Sequence, residues 1–177
     1  ILVVEAMETA EQRGARVYAE LVGFGAGHSI YPEGHGLEPD PEGKGIATAI
    51  RNALSDAELD AGAIDLLLPF GSGIPTFDRA ELAAYRGVFG DRAEKLLAWC
   101  GKPYVGNMGA GSGGVEVAMA ARMLAEQAVP ARLNCDSPVD GAPLVATAGR
   151  QSAEVNCAMI VAAAQGGQNV ALILRRT

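Results

Sequence analysis

Cysteine is scarce in this chain, and the three present, Cys100, Cys135 and Cys157, are an odd number with no Cys-x-x-Cys pair. That spacing offers neither a disulfide framework nor a zinc site, so reduced thiols and a cytoplasmic location are expected. Histidine is scarcer: His28 and His35 both fall in a glycine- and proline-rich stretch, residues 25–41, with no carboxylate or cysteine cluster beside them. They read as solvated loop histidines, not metal ligands or catalytic bases. Charged residues make up only 20% of the chain, with a formal net charge of -7. Nucleic acid and anionic membranes, which need clustered Lys and Arg, are therefore not expected as partners. No apolar run reaches the roughly 18 residues of a membrane span, and the opening Ile1-Leu2-Val3-Val4 lacks the flanks of a signal peptide. The absence of Met at position 1 suggests a truncated or processed chain.

What remains is apolar and small. Hydrophobic residues are 49% of 177, enough for one α/β domain. Residues 1–5 read as a buried strand, 6–13 as a short helix stopped by Gly14, and 15–23 as a strand turning Val17, Ala19 and Leu21 inward. Residues 44–56 space Ile46, Ala49, Ile50, Ala53 and Leu54 as an amphipathic helix, and Ser55-Asp56-Ala57-Glu58 has the form of a capping box. Strands are expected over 154–164 and 169–175, joined by a tight hairpin at Gln165-Gly166-Gly167-Gln168.

Two turns stand out, each set between an apolar strand and a helix: Phe70-Gly71-Ser72-Gly73-Ile74-Pro75 and Lys102-Pro103-Tyr104-Val105-Gly106-Asn107. In the first, Gly71 and Gly73 permit positive φ and Thr76 or Asp78 can cap the next helix. On that helix Leu82, Tyr85 and Phe89 share a face, while Arg79, Arg86 and Arg92 read as a solvated surface and secondarily as a docking one. After the second, Gly109-Ala110-Gly111-Ser112-Gly113-Gly114 matches G-x-G-x-x-G, with Asp136 about 20 residues on, as in a dinucleotide-binding unit. Residues 102–105 are a short, polar strand, unlike the apolar run that precedes such a fingerprint. Ser112 lacks a placed base and is a poor nucleophile candidate. Small residues that let a helix over 115–124, apolar on both sides, pack closely are the simpler reading.

Phe70, Gly71, Ser72, Gly73, Ile74, Pro75, Asp78 and Glu81 fill a pattern that resembles the H-G-T-G-T-P-x-x-D-x-x-E segment of β-ketoacyl synthases, the condensing enzymes of fatty-acid and polyketide synthesis. The second turn resembles that family's K-S-x-x-G-H, with Lys102 and Gly106 kept. By this resemblance the family's catalytic positions fall on Phe70, Lys102 and Asn107, so that only the lysine survives. The end of the chain resembles the family's G-F-G-G-x-N gate: Gly166, Gly167 and Asn169 match, while Ala163, Ala164 and Gln165 replace the residues before them. Ile74, Ala163, Ala164, Gln165, Gly166 and Gly167 become the tunnel and gate candidates.

The resemblance implies the C-terminal half of a thiolase-like layered α/β fold, a mixed sheet covered by helices, with residues 1–24 continuing from a missing N-terminal half that carries the nucleophilic cysteine. Loss of the paired histidines with the scaffold kept is similar to the chain-length factors, non-catalytic partners of ketosynthases that shape the acyl tunnel. The implied partners are the N-terminal half, an active ketosynthase and acyl carrier protein, whose phosphopantetheine thioesters are the implied substrates; no cofactor or metal is implied. The alternatives are a divergent condensing enzyme or acyltransferase and a standalone protein-binding module.

Overall fold

The computed structural model describes residues 1–31, 38–145 and 148–177; His35 lies outside them. A six-stranded mixed sheet runs in the order β1-β8-β7-β2-β3-β5, formed by β1 (Glu20–His28), β2 (Leu66–Leu68), β3 (Leu97–Ala98), β5 (Leu144–Val145), β7 (Cys157–Ala163) and β8 (Gln168–Arg175). The hairpin strands β7 and β8 and the edge strand β1 pair antiparallel, whereas β7, β2, β3 and β5 run parallel. β4 (Ala128–Val129) and β6 (Gln151–Ser152) form a separate antiparallel pair.

Both faces of the sheet are covered, which explains why its central strands are apolar runs and not alternations. Leu67, Met159, Val161, Ala171 and Ile173 point to one core, roofed by α2 (Lys44–Asp56) and α3 (Pro75–Phe89). Leu66, Leu68, Ala158, Ile160 and Leu174 point to the other, closed by α5 (Ser112–Glu126). The three leucines of β2 are at most 1% exposed; each such side chain contributes about 1.5–3 kcal/mol of burial.

α2 occupies the predicted residues and buries its predicted face. It lies unusually close to the sheet because the β1 residues beneath it are Gly23, Gly25 and Gly27. A Cβ at Gly25 would overlap the Ala49 carbonyl oxygen, and one at Gly27 the Gly45 carbonyl oxygen. Expectation and structure part here. Glycines taken for the start of a loop are strand residues whose missing side chains admit a helix backbone. A bulge between Leu21 and Gly23 shifts the register, so Leu21, expected inward, is exposed at 47%.

Other expectations are corrected locally. Residues 1–5 form no strand, and Ile1 to Val4 are exposed. The short helix expected next is α1 (Met7–Gln12). Ser55 to Glu58 do not open a new helix: Glu58 takes a φ of 53°, and its amide closes on the Ser55 carbonyl. Residues 102–105 are a helical turn, α4 (Lys102–Val105), instead of a strand. α5 buries Ala120, Met123 and Leu124, but Val115, Ala118 and Met119 on its other side are only half-buried. The three-arginine surface is also not one surface, since Arg92 donates to the carbonyls of Ala61 and Ile64 (3.1 and 2.6 Å) while Arg86 reaches Glu94 at 3.6 Å.

Candidate functional site

The two sequence-marked turns leave the C-terminal ends of the adjacent parallel strands β2 and β3, the place where pockets form in open α/β sheets. Their local shapes follow from the helices after them. Gly71 and Gly73 take φ of 51° and 75°, and Pro75 occupies the first turn of α3 behind the extended residue Ile74. No side chain caps that helix; the predicted capping residue Asp78 instead turns back, accepting from the Gly73 amide (3.2 Å) and the Ser72 hydroxyl (3.0 Å). Glu81, three residues further on the same face, accepts from the amides of Phe70 (2.6 Å) and Gly71 (2.9 Å) and from the hydroxyl of Tyr85. Carboxylates at i and i+3 on α3 thus anchor both ends of the turn. Burial pushes the Glu81 carboxyl above its ordinary pKa, opposed by the donors from Tyr85 and the turn. The phenol of Tyr85, itself buried beside Glu81, is pushed well above 10.0.

The turn presents Phe70, whose ring packs 6.1 Å from that of Phe77 on α3. The Lys102 ammonium lies 4.6 Å from the centre of the Phe70 ring and bonds Glu116 Oε1 of α5 at 2.8 Å. The Lys102 and Glu116 side chains are 9% and 7% exposed, so this is a desolvated ion pair. Burial raises the Glu116 pKa, and the hydrogen bond and charge of Lys102 oppose the rise. Sequence reasoning singled out Lys102 but missed Glu116; a carboxylate beside the small-residue run of a mostly apolar helix was the available signal. Cys100 packs its Sγ 3.8 Å from the Gly71 carbonyl oxygen, and burial keeps its thiol protonated by raising its pKa.

Asn107 is exposed. Its Oδ1 accepts from the Gly109 amide (3.0 Å) and the Ser112 hydroxyl (3.3 Å). Between α4 and α5 lies a cavity of about 150 Å³ walled by Trp99, Tyr104, Val105, Met108, Val115 and Met119, with Lys102 and Glu116 also lining it. The Trp99 and Tyr104 rings stack at 5.8 Å, and both polar ends donate to the Ala131 carbonyl, at 3.0 and 2.6 Å.

The gate candidates lie elsewhere. Gly166 and Gly167, at φ of 88° and 84°, turn the predicted β7–β8 hairpin. Ala163 is half-buried against the core, Ala164, Gln165 and Gly166 are exposed, and Ile74 is exposed at the start of α3. His28, expected to be solvated, does face solvent but is tied to the hairpin by a 2.9 Å bond from Nε2 to the Gly166 carbonyl. Ala164 and Gly167 meet Phe77 around a hollow of about 10 Å³, room for about one water.

The glycine-rich run after the second turn follows a helical turn and not a strand, so the dinucleotide-binding context is missing. Among the described residues no cluster of three His, Cys, Asp or Glu side chains is placed to hold a metal ion, and no helix is long and apolar enough to cross a membrane. The family model for the β-ketoacyl synthase C-terminal domain matches residues 18–136. The chain belongs to the β-ketoacyl synthase family. Across 99% of its length this β-ketoacyl synthase domain is 32% identical to 3-oxoacyl-[acyl-carrier-protein] synthase 2 of Coxiella burnetii, of which it covers 42%. It superposes on the ishigamide ketosynthase/chain length factor with a TM-score of 0.88 at 28% identity, covering 98% of this chain and 41% of that one. A β-ketoacyl synthase from Burkholderia phymatum gives 0.83 at 29% identity, covering 98% and 41%. The chain spans less than half the length of these relatives.

Proposed function

We propose that this β-ketoacyl synthase domain belongs to a subunit without condensing activity of its own, of the chain-length-factor type, which pairs with an active ketosynthase and shapes its acyl tunnel. The observation that carries this reading is the contact of Phe70 with Lys102. At the position matching the family's first histidine stands a phenyl ring that can neither donate a hydrogen bond nor carry charge. It covers an ammonium already neutralised by Glu116. A developing enolate oxyanion would find no N–H donor on that side chain, and losing one such donor costs about 2.7–4 kcal/mol in barrier. The similarity to a ketosynthase/chain length factor supports the same reading.

The test is condensation of acyl carrier protein thioesters by the full-length protein, alone and with its ketosynthase-like partner. Activity only in the pair is expected, and turnover by the full-length protein alone would sink the proposal. Similarity to the 3-oxoacyl synthase favours a second reading, a divergent condensing enzyme with its cysteine in the remaining part of the chain. That reading predicts covalent acylation of the cysteine, seen by intact mass, and an unlabelled protein disposes of it.

A further inference from the structure

We propose that Asn52 and Asp56 of α2 guard the free edge of β1, closing it to strand addition by a second copy of this chain. β1 ends the sheet, with β8 on one side and, among the described residues, no strand on the other. In an antiparallel pair the backbone groups of successive residues point alternately at the partner and away from it. Phe24 and Ala26 are two residues apart, so their backbone groups face the same way, and that way is the free edge. There the Phe24 amide donates to Asp56 Oδ2 at 2.9 Å, and the Ala26 carbonyl accepts from Asn52 Nδ2 at 2.9 Å.

Helix and strand match in pitch. Four residues of helix rise about 6 Å and two residues of strand about 6.8 Å, so side chains at i and i+4 on α2 fall on alternate residues of β1. Side chains as short as Asn and Asp reach the edge only because the helix lies so close, and the glycines beneath it allow that approach. The strand needs such a guard. From Leu21 to Gly27 it carries no charged residue and no proline, the features that otherwise blunt an edge. The bulge between Leu21 and Gly23 protects only its start. The occupant kept out is a second copy, because two identical edges related by a two-fold axis pair antiparallel and are self-complementary. Phe24, exposed at 54%, supplies an apolar side chain for the cross-strand contact.

The test is sedimentation of the full-length protein and of its Asn52→Ala/Asp56→Ala variant over a concentration series. Without the guard, the Phe24 amide and Ala26 carbonyl are free to bond a second strand. Self-association should then begin at a concentration about tenfold or more below that of the wild type. Adding Ala26→Pro, which removes an amide facing the free edge, should restore wild-type behaviour. Hydrogen exchange separates strand pairing from a general loss of stability: the Phe24 amide should exchange faster in the dilute variant and slow again on association, with the β7 amides unchanged. Any variant that circular dichroism shows to be misfolded is replaced, the double variant by either single substitution and the proline by Phe24→Lys. A folded variant that sediments as the wild type does at every concentration would overturn the proposal, and so would association that survives the blocked edge.

Discussion

Removing the Tyr85 hydroxyl, by Tyr85→Phe, should loosen the turn that carries Phe70 without disturbing the core around it. Tyr85 is 1% exposed and Glu81 4%, so no bulk water replaces the lost donor. A hydrogen bond to a charged group is worth about 1.5–3 kcal/mol. At about 2–4 °C per kcal/mol for a protein of this size, the melting temperature should fall by about 3–12 °C. The loss depends on pH, and its sign follows from Glu81. The folded-state pKa of Glu81 is raised above 4.5 by burial, and the Tyr85 bond holds it down. Such a group contributes its full stability below the unfolded value and loses it as pH rises through the folded one. Phenylalanine raises the folded pKa further, so the deficit should open as pH rises through the wild-type folded pKa, which lies above 4.5, and be small below it. Thermal melts from pH 4 upward measure the deficit, and hydrogen exchange at the Phe70 and Gly71 amides, both bonded to Glu81, should accelerate in the variant. An unchanged melting temperature at neutral pH, with both amides equally protected, would refute the role assigned to this network.

Two further outcomes separate backbone from charge. Gly25→Ala places a methyl group against the Ala49 carbonyl oxygen and Ala53 amide and should destabilise by about 3 kcal/mol, whereas Gly62→Ala, with nothing within 4 Å, should be neutral or stabilise by up to about 1 kcal/mol; denaturant titration compares them. Lys102→Met strands the buried carboxylate of Glu116 and should lose about 3–5 kcal/mol, while Lys102→Met with Glu116→Leu should recover most of it. Because burial already raises the Glu116 pKa above 4.5, the single-variant deficit should shrink toward acid pH as Glu116 protonates. A pH-independent deficit in urea melts would contradict the assignment.

Much of the site was legible because its turns are written in residues with backbone meaning. Gly71 and Gly73 do adopt positive φ, and Gly166 and Gly167 do close the hairpin. Asp78 and Glu81 were visible as part of a pattern, but their work was not: the sequence suggested a helix cap, and the structure shows side chains folded back to hold the preceding turn. Glu116 escaped notice because its partner is 14 residues away, beyond any local periodicity. The 102–105 segment was mistaken for a strand because a four-residue helix carries too few residues to show a period.

Local chemistry alone therefore determined the helices α2 and α3, the apolar central strands, the two turns and the family resemblance, because propensity, turn stereochemistry and hydrophobic period act between residues close in sequence. Tertiary structure decided where α2 could rest on the glycines of β1, which helices cover each face of the sheet, and that Phe70, Lys102 and Glu116 meet. Those outcomes depend on contacts between segments tens of residues apart, whose energy exists only once the layers have packed and water has left the space between them.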